Sequence, residues 1–185
     1  MSGIPSSAHF AYQNGVLCCD GVSVETIAES LDTPSYVYSA ASIDARFRAV
    51  DDAMSFTPHL VAYAVKANGN LAILSQLAKL GAGADIVSEG ELARAITAGF
   101  SADRIVFSGV GKRRREITRA LELGIKAIHV ESASELRVVS EVARGLGVRA
   151  NVVLRVNPNV DAQTHPYIAT GLHESKFGIE LDVAE

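Results

Sequence analysis

From Leu60 onward the chain alternates short apolar runs with longer amphipathic stretches, repeating about every 20 to 24 residues. The apolar runs begin near Leu60, Ala84, Arg104, Ala127 and Asn151. Ile105-Val106-Phe107, Ala127-Ile128-His129-Val130 and Val152-Val153-Leu154-Arg155-Val156 are near-continuous rather than alternating, which predicts strands of a parallel sheet covered on both faces. Between them, helices are predicted over Leu71 to Leu80, Glu89 to Ala98, Arg114 to Leu123 and Ala133 to Arg144. Gly81, Gly99, Gly124 and Gly145 follow these helices and suit a left-handed helix stop. Ser88-Glu89-Gly90-Glu91 and Ser132-Ala133-Ser134-Glu135 read as capping boxes, each directly after a strand. The pattern predicts repeated strand-helix units and an α/β fold.

The stretch before Leu60 is less regular. Asn14-Gly15 and Asp20-Gly21 are turn signals, and Val22 to Leu31 reads as a short helix. Thr33-Pro34 biases the chain toward an extended conformation, so Ser35-Tyr36-Val37-Tyr38 is expected as a short strand. Ser39 then caps a helix running to about Met54, with Ile43, Phe47, Val50 and Met54 on one face.

Composition narrows the function classes. The chain has 185 residues, 48% of them hydrophobic and 21% charged, which suits one globular domain or one and a part. Its net charge of −4 and the lack of a basic stripe interleaved with aromatics argue against nucleic acid as a partner. Lys112-Arg113-Arg114-Arg115 is followed by Glu116 and reads as the solvated start of a helix. Cys18 and Cys19 are adjacent and form neither a disulfide framework nor a metal spacing, so a reducing compartment fits. No signal-peptide pattern and no membrane-length apolar run is visible. A cytoplasmic chain with no membrane partner is expected.

Candidate chemistry centres on Lys66, which closes the run Leu60-Val61-Ala62-Tyr63-Ala64-Val65. A lysine there has an apolar stem and an amine at a pocket mouth. Desolvation favours the neutral amine, which can attack an aldehyde and form a Schiff base. Taken alone, the same lysine also reads as a solvated strand terminus. Lys66, Ser88, Ser108, Glu131 and Asn157 place a polar residue at the end of all five expected strands, where barrel chemistry sits. No Gly-x-Gly-x-x-Gly follows the first strand, which weakens a dinucleotide reading. Gly109-Val110-Gly111-Lys112 lacks the spacing of a phosphate-binding P-loop and reads as a polar loop. His129, His165 and His173 match no zinc-ligand spacing, so no metal is expected.

Several motifs in order then resemble one family. Tyr63-Ala64-Val65-Lys66-Ala67-Asn68, backed by Leu71, Ile73, Leu74, Leu77 and Gly81, resembles the pyridoxal-attachment segment of the fold-type III decarboxylases. That family acts on ornithine, arginine and diaminopimelate. Gly83-Ala84-Asp85-Ile86-Val87-Ser88, Glu91-Leu92, Ile105 to Lys112, Leu154-Arg155-Val156-Asn157-Pro158 and Ser175-Lys176-Phe177-Gly178-Ile179 continue the match, which covers about Thr33 to the end. The loop Thr164 to Gly171 looks most like that of members acting on diaminopimelate.

The resemblance implies a partial (β/α)8 barrel of the TIM type, in the alanine-racemase-like class, with about five of eight strand-helix units. It implies residues 1–38 as a segment contributing to a second β-domain, and 39–185 as an incomplete barrel that binds pyridoxal 5′-phosphate. Lys66 is then the catalytic and cofactor-holding residue, with Asp85 and Arg155 facing the cofactor. Those two also read as a structural ion pair. The implied function is decarboxylation of meso-2,6-diaminopimelate to L-lysine, the last step of lysine biosynthesis. A homodimeric parent and a small amino-acid substrate go with it. Ornithine, arginine or carboxynorspermidine as substrate, or an inactive cofactor-binding chain, are the alternatives. The sixth, seventh and eighth strands are expected to be missing, so the chain resembles an amino-terminal fragment whose substrate-gripping and phosphate-binding residues lie elsewhere.

Overall fold

The computed structural model describes residues 9–157 and 178–180. The chain divides into two compact units, Met1–His59 and Leu60–Glu185.

In the first unit, β1 (Phe10–Gln13), β2 (Val16–Cys19) and β3 (Val22–Ser23) form an antiparallel meander in that order. Its two turns are Asn14-Gly15 and Asp20-Gly21. All four residues have positive φ, the conformation that matches the twist of paired strands. Helix α1 (Val24–Leu31) starts two residues later than expected, because Val22–Ser23 pairs with β2 and Ser23 caps the helix. Ser35–Tyr38 joins no ladder, and Tyr36 is almost fully exposed, so the extended bias of Pro34 yields no strand there. Helix α2 (Ala40–Ala53) is capped by Ser39 as expected, but only Phe47 of its predicted apolar face is buried. Asp20 ties this unit together. It accepts the Ser39 hydroxyl at 2.7 Å and the Ala41 amide at 3.2 Å, and these bonds hold its carboxyl below the usual aspartate range.

In the second unit, β4 (Ala62–Ala64), β5 (Gly83–Ile86), β6 (Ile105–Phe107), β7 (Ala127–Val130) and β8 (Val152–Leu154) form a five-stranded sheet, all parallel and in sequence order. A doubly wound sheet reverses strand order at a switch point. None occurs among the described strands, whose sequential parallel order is that of an incomplete barrel. Helices α3 (Leu71–Lys79), α4 (Glu89–Ala98), α5 (Arg114–Leu123) and α6 (Ala133–Leu146) fill the crossovers. Ala84, Ile86, Ile105, Phe107, Ile128 and Val130 are fully buried on one sheet face, with Leu74, Leu92, Ile117 and Val139 from the helices. The intervening residues Asp85, Val87, Val106, Ser108 and His129 are only partly covered and occupy the other face.

Three details differ from the sequence expectation. Helix α6 continues through Gly145 and stops at Gly147, the residue with positive φ. In both serine-capped helices the glutamate reaches one residue further back than a capping box requires: Glu91 accepts from Val87 N–H and Glu135 from Glu131 N–H. Finally, a sixth parallel strand begins within this chain. Strand β9 (Val156–Asn157), continuing β8 past Arg155, pairs with β10 (Ile179–Glu180). A Cβ on Gly178, whose φ is +86°, would lie 3.0 Å from the Arg155 carbonyl, so the approach needs glycine.

Among the described glycines, Gly83 makes the tightest backbone approach. A Cβ there would sit 2.6 Å from the Arg104 carbonyl oxygen and 3.0 Å from Leu60. Gly83→Ala is expected to cost about 2–3 kcal/mol in denaturant unfolding, because the clash is with backbone. Glu116 supplies a second test. Burial pushes its carboxyl up, but the Arg113 and Glu89 amides, with Arg113 and Arg115, outweigh this and hold it below its ordinary value. A depressed pKa stabilises the fold above the ordinary glutamate range and ceases to do so as pH falls through the lowered value. Glu116→Gln should therefore lose about 1 kcal/mol at neutral pH, a figure already reduced for water screening. That deficit should shrink toward zero as unfolding is measured at acid pH below that range.

Candidate functional site

The parallel ladder fixes which residues can meet. Ala64 pairs with Asp85, Asp85 with Val106, and Phe107 with Ile128. Residues just beyond these pairs therefore emerge side by side at the carboxyl ends of the strands. There Lys66, Asp85, Val87, Ser108, Gly109, Val110, His129 and Arg155 line an open cavity of about 690 Å³. That volume lies within the usual range for small-molecule sites.

Lys66 stands not on the strand but in a single 3₁₀ turn, Val65–Ala67, that follows β4. Val65 is buried and anchors the turn, while Lys66 is exposed rather than shielded as the sequence suggested. Asn70 caps α3 immediately afterwards through the Ala72 amide, so a short, tied loop carries the lysine.

Asp85 and Arg155 reach the same cavity, each with its own neighbour. Ser108 donates its hydroxyl to Asp85 Oδ1 at 2.5 Å, and His129 Nδ1 lies 3.0 Å from the same Ser108 oxygen. Arg155 Nη1 is 3.2 Å from Glu131 Oε1. Glu131 has only 3% of its side chain exposed, against 40% for Arg155. Burial makes this pair stronger than a surface one, since the carboxylate has little water around it. Its other oxygen, Oε2, has no hydrogen-bond partner among the described residues.

The polar strand ends thus divide by role. Lys66 and Ser108 line the cavity, Ser88 caps α4, and Glu131 supports Arg155. Asn157 is buried in β9. Sequence reasoning missed His129, which it set aside as an ordinary histidine. The available signal was its odd position in β7, where Ile128 and Val130 face the helices and His129 must face the other way.

The Gly109–Lys112 loop forms one wall. Gly109 has positive φ, and a Cβ on it would meet Val87 at 3.4 Å. Lys112 is not solvated with its basic neighbours. Its side chain is 1% exposed, and its amine donates to the carbonyls of Gly109 and His129, both at 2.6 Å, and to Glu135 at 3.0 Å. The Phe107 ring lies 5.6 Å away. With its protons directed into the protein, Lys112 braces the wall and is not a phosphate ligand.

The donor set fits pyridoxal phosphate. A reachable primary amine, a guanidinium, a carboxylate and two small apolar wall residues, Val87 and Val110, suit a flat, anionic, aldehyde-bearing ring. Lys66 would hold it covalently, with Asp85 and Arg155 beside it. Among the described residues no cluster of His, Cys, Asp or Glu could hold a metal ion, and no helix is long and apolar enough to cross a membrane. His165, His173 and the loop Thr164–Gly171 lie outside the described residues.

Comparison with known proteins gives a consistent result. Residues 40–185 match the family model described as pyridoxal-dependent decarboxylase, pyridoxal binding domain. The chain is 56% identical over 176 residues to a diaminopimelate decarboxylase of Pseudomonas aeruginosa, covering 95% of this chain and 42% of that protein. Among solved structures, diaminopimelate decarboxylase from Helicobacter pylori, complexed with L-lysine, superposes with a TM-score of 0.85 at 47% identity, over 87% of this chain and 41% of that one. The enzyme from M. jannaschi superposes with a TM-score of 0.87 at 41% identity, over 95% and 42%. The chain therefore spans about two-fifths of the length of these relatives. With its incomplete barrel, its strand-end lysine and a family match over most of its length, the chain belongs to the pyridoxal-dependent decarboxylases, through their pyridoxal-binding domain.

Proposed function

We propose that this chain is the amino-terminal, cofactor-holding part of a decarboxylase that converts meso-2,6-diaminopimelate to L-lysine. The observation that carries this reading is Lys66, at the rim of a strand-end cavity it shares with Asp85 and Arg155, in a chain 56% identical to a diaminopimelate decarboxylase. When bound, pyridoxal phosphate supplies the electron sink that accepts the carbanion left by a departing carboxyl group.

The protein's own residues do the rest. The Lys66 amine is the nucleophile that attaches the cofactor, and its turn keeps it at the strand ends. Asp85 and Arg155 place one negative and one positive group at the cavity wall, where each favours hydrogen bonding to a polar edge of the ring. Val87 and Val110 would offer the ring an apolar wall.

The remaining parts of the reading concern the larger assembly. Residues 1–38, with their three-stranded meander, contribute to a second β-domain, and residues 39–185 to the barrel. The parent is a cytoplasmic homodimer in lysine biosynthesis, with an amino-acid substrate and no nucleic-acid partner. Support for diaminopimelate over ornithine or arginine comes from relatives that are diaminopimelate decarboxylases at 47–56% identity.

Mixing the chain with pyridoxal phosphate, reducing with borohydride and mapping the peptides should find the label on Lys66. Modification of Lys79, Lys112 or Lys176 with Lys66 untouched would overturn the assignment. Lys66→Ala and Lys66→Arg should both abolish labelling, since a guanidinium stays protonated and cannot form the imine. In a full-length protein carrying this sequence, carbon dioxide release from meso-diaminopimelate should exceed that from ornithine or arginine by about a hundredfold or more, as expected for a site that pairs a polar substrate end. Comparable turnover of ornithine or arginine would move the protein to another branch of the family.

A further inference from the structure

Three consecutive strands each contribute one polar side chain to a single hydrogen-bonded line. Asp85 comes from β5, Ser108 from the end of β6 and His129 from β7. Ser108 Oγ is 2.5 Å from Asp85 Oδ1 and 3.0 Å from His129 Nδ1. A serine hydroxyl has one proton. Asp85, as a carboxylate, can only accept, so that proton goes to Oδ1. The second contact then requires the proton to sit on Nδ1 of His129, which donates to the serine oxygen. The order is His129 Nδ1–H to Ser108 O–H to Asp85.

The line is anchored at its far end. The backbone carbonyl of His129 accepts from the buried amine of Lys112, which also holds Gly109 and Glu135. Asp85, Ser108 and His129 all line the cavity that Lys66 and Arg155 share. Asp85 by itself has a freely turning carboxylate. With Oδ1 bound to a serine whose hydroxyl is in turn fixed by an imidazole, the plane of the carboxylate is set before any ligand arrives.

We propose that Ser108 and His129 are positioning residues that fix the rotamer of Asp85 at the cofactor-facing wall through a one-directional hydrogen-bond relay. The proposal rests on the cofactor reading above for what Asp85 faces, but the relay itself is a property of the chain alone. Its direction makes a specific demand at each position. Position 108 needs a hydroxyl, because it must both donate and accept. Position 129 needs an N–H donor where Nδ1 sits, and the amide nitrogen of an asparagine lies at the same distance along the side chain.

Two measurements on the 185-residue chain test this. Nitrogen-15 NMR of the imidazoles should show His129 as the Nδ1–H tautomer, shifting toward Nε2–H in Ser108→Ala. Pyridoxal phosphate affinity, read by absorbance titration, should weaken about tenfold in Ser108→Ala and in His129→Leu, the size expected for a lost hydrogen bond to a charged group. Ser108→Thr and His129→Asn should restore it to within about twofold of the original chain. A merely structural role for these side chains predicts no such rescue by Asn. Finding His129 as the Nε2–H tautomer, or equal affinity in all four variants, overturns the relay. If the unaltered chain fails to bind pyridoxal phosphate, the affinity arm is read in a full-length protein carrying this sequence, where failure to bind sinks the proposed function, and the tautomer measurement decides the relay by itself.

Discussion

Everything at this site depends on one constraint: the strands of the second unit all run the same way and in sequence order. Parallel neighbours require a crossover, and each crossover helix returns the chain to the same starting edge. All carboxyl ends therefore emerge on one rim. The fully buried row Ile86, Phe107 and Ile128 fixes the register, since a slip of one residue would turn these side chains off the helices. The same register that buries them sends Asp85, Ser108 and His129 to the opposite face. Packing on one side of the sheet thus dictates chemistry on the other.

Charge burial follows a single pattern around that rim. Two nearly buried ionic groups, Lys112 and Glu131, are each engaged with a partner reached across a crossover. Lys112 bonds Glu135 of α6, and Glu131 bonds Arg155 of the next strand position. Ion pairs of this kind add little net stability, because desolvation offsets attraction. Their effect is directional. Each holds a loop or a side chain in one place, and Arg155, which is more exposed, inherits its position from the buried carboxylate. The exposed arginines of α5 make no comparable demand. Arg114 pairs with Glu141 and Arg115 with Glu89 at the surface, where solvent screens them.

Much of this was legible in the chain itself. Helix bounds followed from apolar spacing and, at Gly99 and Gly124, from a glycine in the left-handed cap, whereas α3 is capped by Leu80 and α6 runs past Gly145 to Gly147; the five parallel strands fell within two residues of their expected starts. The amino-terminal meander was less visible. Asn14-Gly15 and Asp20-Gly21 were read as turns, yet both are strong hairpin signals whose flanking strands are too short and mixed to announce themselves. Pairing of charges was not legible at all. Asp85 and Arg155 looked like natural partners, but distance across a sheet depends on register, and register gave them Ser108 and Glu131 instead. The start of a sixth strand was missed because two residues carry too little pattern, although Gly178 marks the close approach that makes it possible.

The backbone at Arg155 is held from both sides. Its amide donates to Val130 of β7 at 3.0 Å, and its carbonyl accepts from Ile179 at 2.7 Å. One residue is therefore the hinge pin between the fifth strand's earlier neighbour and its later one. The residue that brings a guanidinium to the cavity wall is thus also the backbone joint at which the five-stranded sheet passes into the β9–β10 pair.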